Sequence, residues 1–387
     1  MASRPFPGER GGVVTEVRSG VPFRPEEGGR AAFARHLGPN WYASVMGTAI
    51  VATAGAGLPL SFPGLRTVCS LFWALSAVML AVLLSARAAH WRHHGDQARA
   101  HLLDPAVAPF YGCLAMALLA VGGGTMLVGK DWIGLRAAIA VDAVLFTAGT
   151  VIGLASAVAI PYLMAVGHGL RPGNASPVWL LPIVAPLVSA SLGPLLLPHL
   201  PTGQWQEALL LGCYGMFGLS MMATFVMLPV VFARLLTGPR LPLFLVPTLF
   251  LVLGPLGQSV TAVNQFGDVA PHVVRAPYDQ GFGMLAVLYG VPVTGFALLW
   301  LVLASVAVVR AWRQGMRFAM TWWAFTFPVG TCVTGTEGLA RHTGLHAFEW
   351  LTVALYVFLL AAWAVTACLT LRGLLRGTLL PRSGDRP

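Results

Sequence analysis

The sequence predicts an all-α membrane protein of ten transmembrane helices arranged as five tandem helical hairpins. Kinked odd-numbered helices line a central pore and even-numbered helices form an outer ring. Three observations lead there. Of 387 residues, 57% are hydrophobic and only 10% charged, against about 25% charged in soluble domains. Ten apolar runs each reach the roughly 20 residues that cross a bilayer core. The odd-numbered runs begin near 38, 107, 178, 246 and 318, a repeat of about 70 residues that fits stacked copies of one helical unit.

Residues 1–36 are rich in Arg, Gly, Pro and Glu and lack the apolar stretch of a cleaved signal peptide. They are expected to remain as a disordered cytoplasmic tail. A ten-helix domain over 37–372 follows, then a cytoplasmic C-terminal tail over 373–387. The helices are expected near 38–58, 66–88, 107–128, 132–162, 178–199, 205–235, 246–266, 282–310, 318–340 and 347–372.

The odd-numbered runs carry helix breakers and small polar residues. Gly38-Pro39-Asn40 opens the first, Pro109 and Gly122-Gly123-Gly124 flank the third, and Pro182, Pro186 and Pro194 interrupt the fifth. The seventh contains Gly254-Pro255-Leu256-Gly257-Gln258 and the ninth Phe327-Pro328-Val329-Gly330-Thr331. A proline inside a helix frees a carbonyl, which lipid cannot satisfy but protein or cavity water can. These helices are therefore expected to face inward. Asn40, Ser44 and Thr48 recur at helical spacing, as do Gln258, Thr261 and Gln265, while Thr331 and Thr334 continue the face of Phe327. Such faces suit a pore. Small residues also let membrane helices pack closely, as the Gly149 and Gly153 pair of the fourth helix would. The even runs are smoother and more apolar, although Pro161, Pro229 and Pro292 interrupt three of them.

Basic residues set the orientation. Nineteen of the 24 Lys and Arg fall in the tails and in the loops on the N-terminal side, and five (Arg66, Lys130, Arg136, Arg275 and Arg341) on the other. Positive charge is retained in the cytoplasm, so both termini are expected there, with the protein multi-pass in the cell membrane. The net charge of +10 is scattered between apolar runs instead of collected on one soluble face, which argues against a nucleic-acid partner.

Enzyme chemistry is poorly supplied. Lys130 is the one lysine and is followed by Asp131, so no phosphate-binding loop exists. The five cysteines lie singly in apolar stretches and read as small core residues instead of a metal site. His90, His93 and His94 cluster in a loop; a metal site and a solvated juxtamembrane loop both fit them. No cofactor is expected. Few carboxylates fall within predicted spans: Asp142 about ten residues into the fourth, Glu207 at the start of the sixth and Glu337 near the outer end of the ninth. Intramembrane acids mark proton relays, but Glu337 also stands one helical turn from Arg341 and Asp142 could find a partner between helices.

Leu37-Gly38-Pro39-Asn40-Trp41-Tyr42-Ala43-Ser44-Val45-Met46-Gly47-Thr48, Gly254-Pro255-Leu256-Gly257-Gln258 and Trp322-Trp323-Ala324-Phe325-Thr326-Phe327-Pro328-Val329-Gly330-Thr331 resemble the tellurite-resistance/dicarboxylate transporter family. That family includes slow anion channels, malate permeases and sulfite efflux pumps. The resemblance implies five inner helices around a pore in each subunit, assembly as a homotrimer, and small inorganic or organic anions as substrates. It further implies that Phe327 occludes the pore as a gate, with Pro328 as its hinge; the residues alone also fit a packed core aromatic. The motif forms look nearer the sulfite branch. A dicarboxylate carrier would normally hold an Arg or Lys near the midplane, and no inner helix here has one, which favours sulfite over malate. A proton-coupled dicarboxylate carrier is the alternative, and a membrane-embedded enzyme or sensor binding a lipid or quinone is a more distant one.

Overall fold

A computed structural model describes residues 38–60, 62–93, 102–167 and 172–379. The predicted tail over 1–36, the last eight residues, and His94, His101 and His168 lie outside the described residues. What is described is helical, with no strand among it. Eight helices are long and apolar enough to cross a membrane. They are α2 (Leu65–His93), α3 (Ala108–Ile133), α4 (Leu135–Val166), α5 (Pro177–His199), α6 (Gln204–Thr237), α7 (Leu243–Val273), α8 (Tyr278–Arg313) and α10 (His346–Leu375). Two shorter helices complete the described bundle: α1 (Tyr42–Ala56) and α9 (Phe327–Thr343), of 15 and 17 residues.

Burial divides these helices into two layers. In α3, α5 and α7 between 83% and 89% of the most apolar stretch is buried, whereas in α2, α4, α6, α8 and α10 the share is 22% to 28%. Helices α1 and α9 belong with the buried set, because 14 of 15 residues of α1 and 12 of 17 of α9 are enclosed. The inner helices pack in a closed ring, α1 on α3, α3 on α5, α5 on α7, α7 on α9 and α9 back on α1. Each outer helix packs on the inner helix that precedes it in the chain. The exposed layer is apolar, as lipid requires, and glycines bring the layers together. A Cβ on Gly149 of α4 would lie 2.7 Å from the Leu119 side chain, and one on Gly153 3.3 Å from Ala185. That pair packs α4 on α3 and α5.

Local chemistry explains the shortness of α1 and α9. At about 1.5 Å per residue, 15 residues fall short of the roughly 30 Å hydrocarbon core. Both are preceded by tighter 3-10 turns, Pro39–Trp41 and Met320–Phe325. The same lead-in recurs in the other inner helices, at Ala108–Phe110, Pro177–Trp179 and Leu243–Val252. Prolines 39, 109 and 177 stand in the first two positions of their turns, where a missing N–H costs nothing. Pro328 is likewise at the start of α9; it follows a change of helix type instead of kinking a continuous helix. In contrast, Pro161, Pro229 and Pro292 lie inside α4, α6 and α8, which run through them.

Charge separates the two ends of the bundle. At the end where the inner helices begin, called here the tail end, lie Arg87, Arg92, Arg234, Arg240, Arg310, Arg313, Arg317, Arg372 and Arg376, with Asp104 as the one described acid. At the opposite end, Arg66, Lys130, Arg136, Arg275 and Arg341 are mixed with Asp131, Glu207, Asp268, Asp279, Glu337 and Glu349.

Candidate functional site

The inner ring encloses a cavity of about 370 Å³ that opens at the end away from the tails. Its walls are polar at depth. Thr53 comes from α1, Ser191 from α5, Gln258, Thr261 and Asn264 from α7, and Thr334 from α9. The hydroxyls of Thr261 and Thr334 are 2.7 Å apart. Ser191 donates to the Val188 carbonyl and accepts from the Gln258 amide. Asn264 donates to the Gly335 carbonyl at 3.1 Å. Among the described residues the amide oxygens of Gln258 and Asn264 have no hydrogen-bond partner.

Phe327 forms the floor. It is 3% exposed and also borders a second space, of about 10 Å³, on its tail side. That space is lined by Met46, Met116, Leu181, Val184 and Leu251. It is at the limit of what a single water fills, and it offers that water no polar side chain. A polar chamber and a small apolar space thus meet at one phenyl ring.

Charged groups collar the mouth. Arg341 is held by Glu337 at 2.6 Å and Asp268 at 2.7 Å, and Asp268 also meets His342 at 3.2 Å. Across the opening, Arg66 pairs with Asp131 at 2.6 Å and donates to the Leu127 carbonyl. Lys130 lines the same opening. Both arginines are about half exposed, where each pair contributes about 0–1 kcal/mol, so the collar shapes the local field more than it stabilises the fold.

The structure brings together Gln258, Thr261, Thr334, Phe327 and Glu337 of the predicted residues, with Pro328 on the constriction side. It does not bring Asn40, Ser44, Thr48 or Thr331 to either space. Asn40 lies in the lead-in turn, and Ser44 donates to the Trp41 carbonyl at 2.7 Å. Thr48 donates to the Ser44 carbonyl and accepts from Trp363 of α10 at 3.0 Å. Thr331 donates to the Pro328 carbonyl of its own helix at 2.7 Å and reaches the Leu253 carbonyl of α7 at 3.4 Å. Asp142 is 2% exposed and sits between α4 and α3, where a Cβ on Gly122 would lie 2.5 Å from its carboxylate; it does not line the cavity. Thr53, Ser191 and Asn264 escaped the sequence reading. Asn264, three residues after Thr261, was within reach of the spacing argument. No group of His, Cys, Asp or Glu among the described residues could hold a metal.

An all-helical bundle with a lipid-facing layer, an enclosed polar chamber and an aromatic floor defines a multi-pass transmembrane transport protein. Residues 36–371 match the family described as "SLAC1: Voltage-dependent anion channel". The chain belongs to the SLAC1 family. It is 27% identical over 342 residues to the sulfite efflux pump SSU1 of Arthroderma otae, covering 86% of this chain and 89% of that one. SSU1 of Trichophyton rubrum is 26% identical over the same shares. An uncharacterized transporter of Methanocaldococcus jannaschii is 26% identical over 332 residues, 85% of this chain and 90% of its own. The family is one of channels and transporters, which speaks for transport and against catalysis.

Proposed function

We propose that each subunit conducts small anions, sulfite foremost, along the axis of its inner ring, with Phe327 as the gate. In this reading the bundle crosses the membrane ten times as five hairpins, the tail end is cytoplasmic in the cell membrane, and three subunits assemble with one pore each. The observation that carries it is the position of Phe327 between the 370 Å³ polar chamber and the 10 Å³ apolar constriction. A ring across a narrow uncharged bore excludes water, and an anion that sheds its water there meets a high barrier. The change from 3-10 to α-helix at Phe327–Pro328 gives the gate a joint about which to swing. Hydroxyl and amide donors in the chamber replace part of the anion's hydration, and the arginine-rich tail end raises its local concentration.

The name of the SSU1 relatives supports sulfite, as does the lack of a cationic side chain at the depth of Phe327 among the described lining residues. One observation favours a C4-dicarboxylate such as malate: Arg66, Lys130 and Arg341 all reach the chamber and could hold two carboxylates. Proton coupling would then fall to Glu337, which faces the chamber, ahead of Asp142, which does not. Purified protein in liposomes tests these readings. Sulfite uptake that follows the electrical gradient supports the channel, and it should rise in Phe327→Ala. Malate uptake that requires a pH gradient and is lost in Glu337→Gln supports the carrier and overturns the sulfite channel.

A further inference from the structure

At the tail end, α8 and α10 part to leave a groove of about 670 Å³ facing the lipid. Val308 and Trp312 of α8 form one wall and Ala362 and Val365 of α10 the other. Its floor is Phe250 and Phe325, whose rings meet edge to face at 4.9 Å. Phe325 ends the 3-10 turn that leads straight into Phe327. The groove therefore rests on the segment from which the proposed gate hangs.

The rim says what fits it. Arg313 lies four residues beyond the groove-lining Val309, and Arg372 three beyond Leu369, so both project from the lining faces one turn further out. Both are exposed and neither forms an ion pair among the described residues. Asp104 is the one described acid at this end of the bundle, so the rim is left positive. An amphiphile with an apolar chain and a negative head complements both parts.

We propose that this groove is a binding site for an anionic phospholipid. One acyl chain lies on Phe250 and Phe325, the phosphate is held by Arg313 and Arg372, and occupancy steadies the lead-in turn of Phe327. The binding claim stands alone, and the link to gating rests on the proposed role of Phe327.

The test is native mass spectrometry of the full chain with phosphatidylglycerol or phosphatidylcholine, beside sulfite flux in liposomes of either lipid. Phosphatidylglycerol is expected to bind about tenfold more tightly. Arg313→Gln with Arg372→Gln should abolish that preference, and Ala362→Trp should reduce binding of both lipids, with thermal melting showing that each variant folds. Equal retention of the two lipids, or a preference that survives the arginine changes, overturns the site. So does disulfide cross-linking between copies through Val365→Cys. Preferential binding with flux indifferent to lipid overturns the gating link alone, whereas failure of the gate reading would show as unchanged flux in Phe327→Ala.

Discussion

On either side of Phe327 the same five helices build opposite environments. The half that opens away from the tails is polar and roomy, and its charges are tied into pairs of both signs at the mouth. The tail half is apolar and shut, and its rim is arginine almost without acid. Helices related by a repeat of about 70 residues would give a uniform lumen if each repeat contributed alike. They differ because the polar residues fall in the later turns of the inner helices, while Met46, Met116, Leu181 and Leu251 occupy the early ones. Tight apolar packing is thus concentrated in the tail half, and open polar volume in the other.

Four substitutions break or sharpen that contrast. The largest effect is expected on packing. A Cβ on Gly112 of the closed half would lie 2.5 Å from the Leu181 carbonyl oxygen and 2.9 Å from the Pro182 Cα. Backbone cannot yield as a side chain can, so Gly112→Val should cost about 3 kcal/mol of stability. Gly57→Ala at the open end, where the added carbon meets Glu337 at an ordinary 3.4 Å, should stay within about 0.5 kcal/mol. Thermal melting of both in detergent checks the pair, and equal losses would erase the contrast. Next comes the proposed gate. If the ring contributes as little as about 1.4 kcal/mol to the barrier, Phe327→Ala raises anion flux about tenfold, read as liposome currents.

A third substitution separates lumen from packing within α1. Thr48→Val removes the acceptor of the Trp363 indole and should cost about 1 kcal/mol in melting while leaving flux unchanged; altered conductance would return Thr48 to the pore. The smallest effect belongs to the collar. Arg341→Gln leaves Glu337 without a basic partner and Asp268 with His342 alone beside the opening. Anion uptake from that side should then fall about threefold at low ionic strength and recover in salt, because the Debye length shrinks from about 30 Å at 0.01 M to about 8 Å at 0.15 M.

The sequence made the membrane class and the all-helical fold legible, because composition and hydrophobic length report directly on the solvent around a helix. Within the site, α7 was also legible: Gln258, Thr261 and Gln265 share a face, and all three border the cavity. Helix α1 was not. It is enclosed along nearly its whole length, so the spacing of Ser44 and Thr48 distinguishes a face without saying what it meets. Here it meets the helix's own carbonyls and an indole. Thr53, five residues after Thr48, is the α1 hydroxyl that reaches the cavity. Thr331 borders neither space for a related reason. It lies about 40° round α9 from Phe327, enough to turn it from the lumen into the contact with α7. Long-range contacts of that kind decide which polar residues face a lumen, and local spacing does not encode them.

The turn at Met320–Phe325 is also a screw. Six residues wound at about three per turn instead of about 3.6 carry roughly 120° more twist and about 3 Å more length than the same residues in an α-helix. Rewinding them would turn the phenyl ring that follows through a third of a revolution and draw it along the axis, and would release the bonds of Trp323 to Thr370 and of Thr321 to the Phe244 carbonyl. The thread on which the ring is mounted therefore sets both its angle and its height, so one local change of pitch moves the two together.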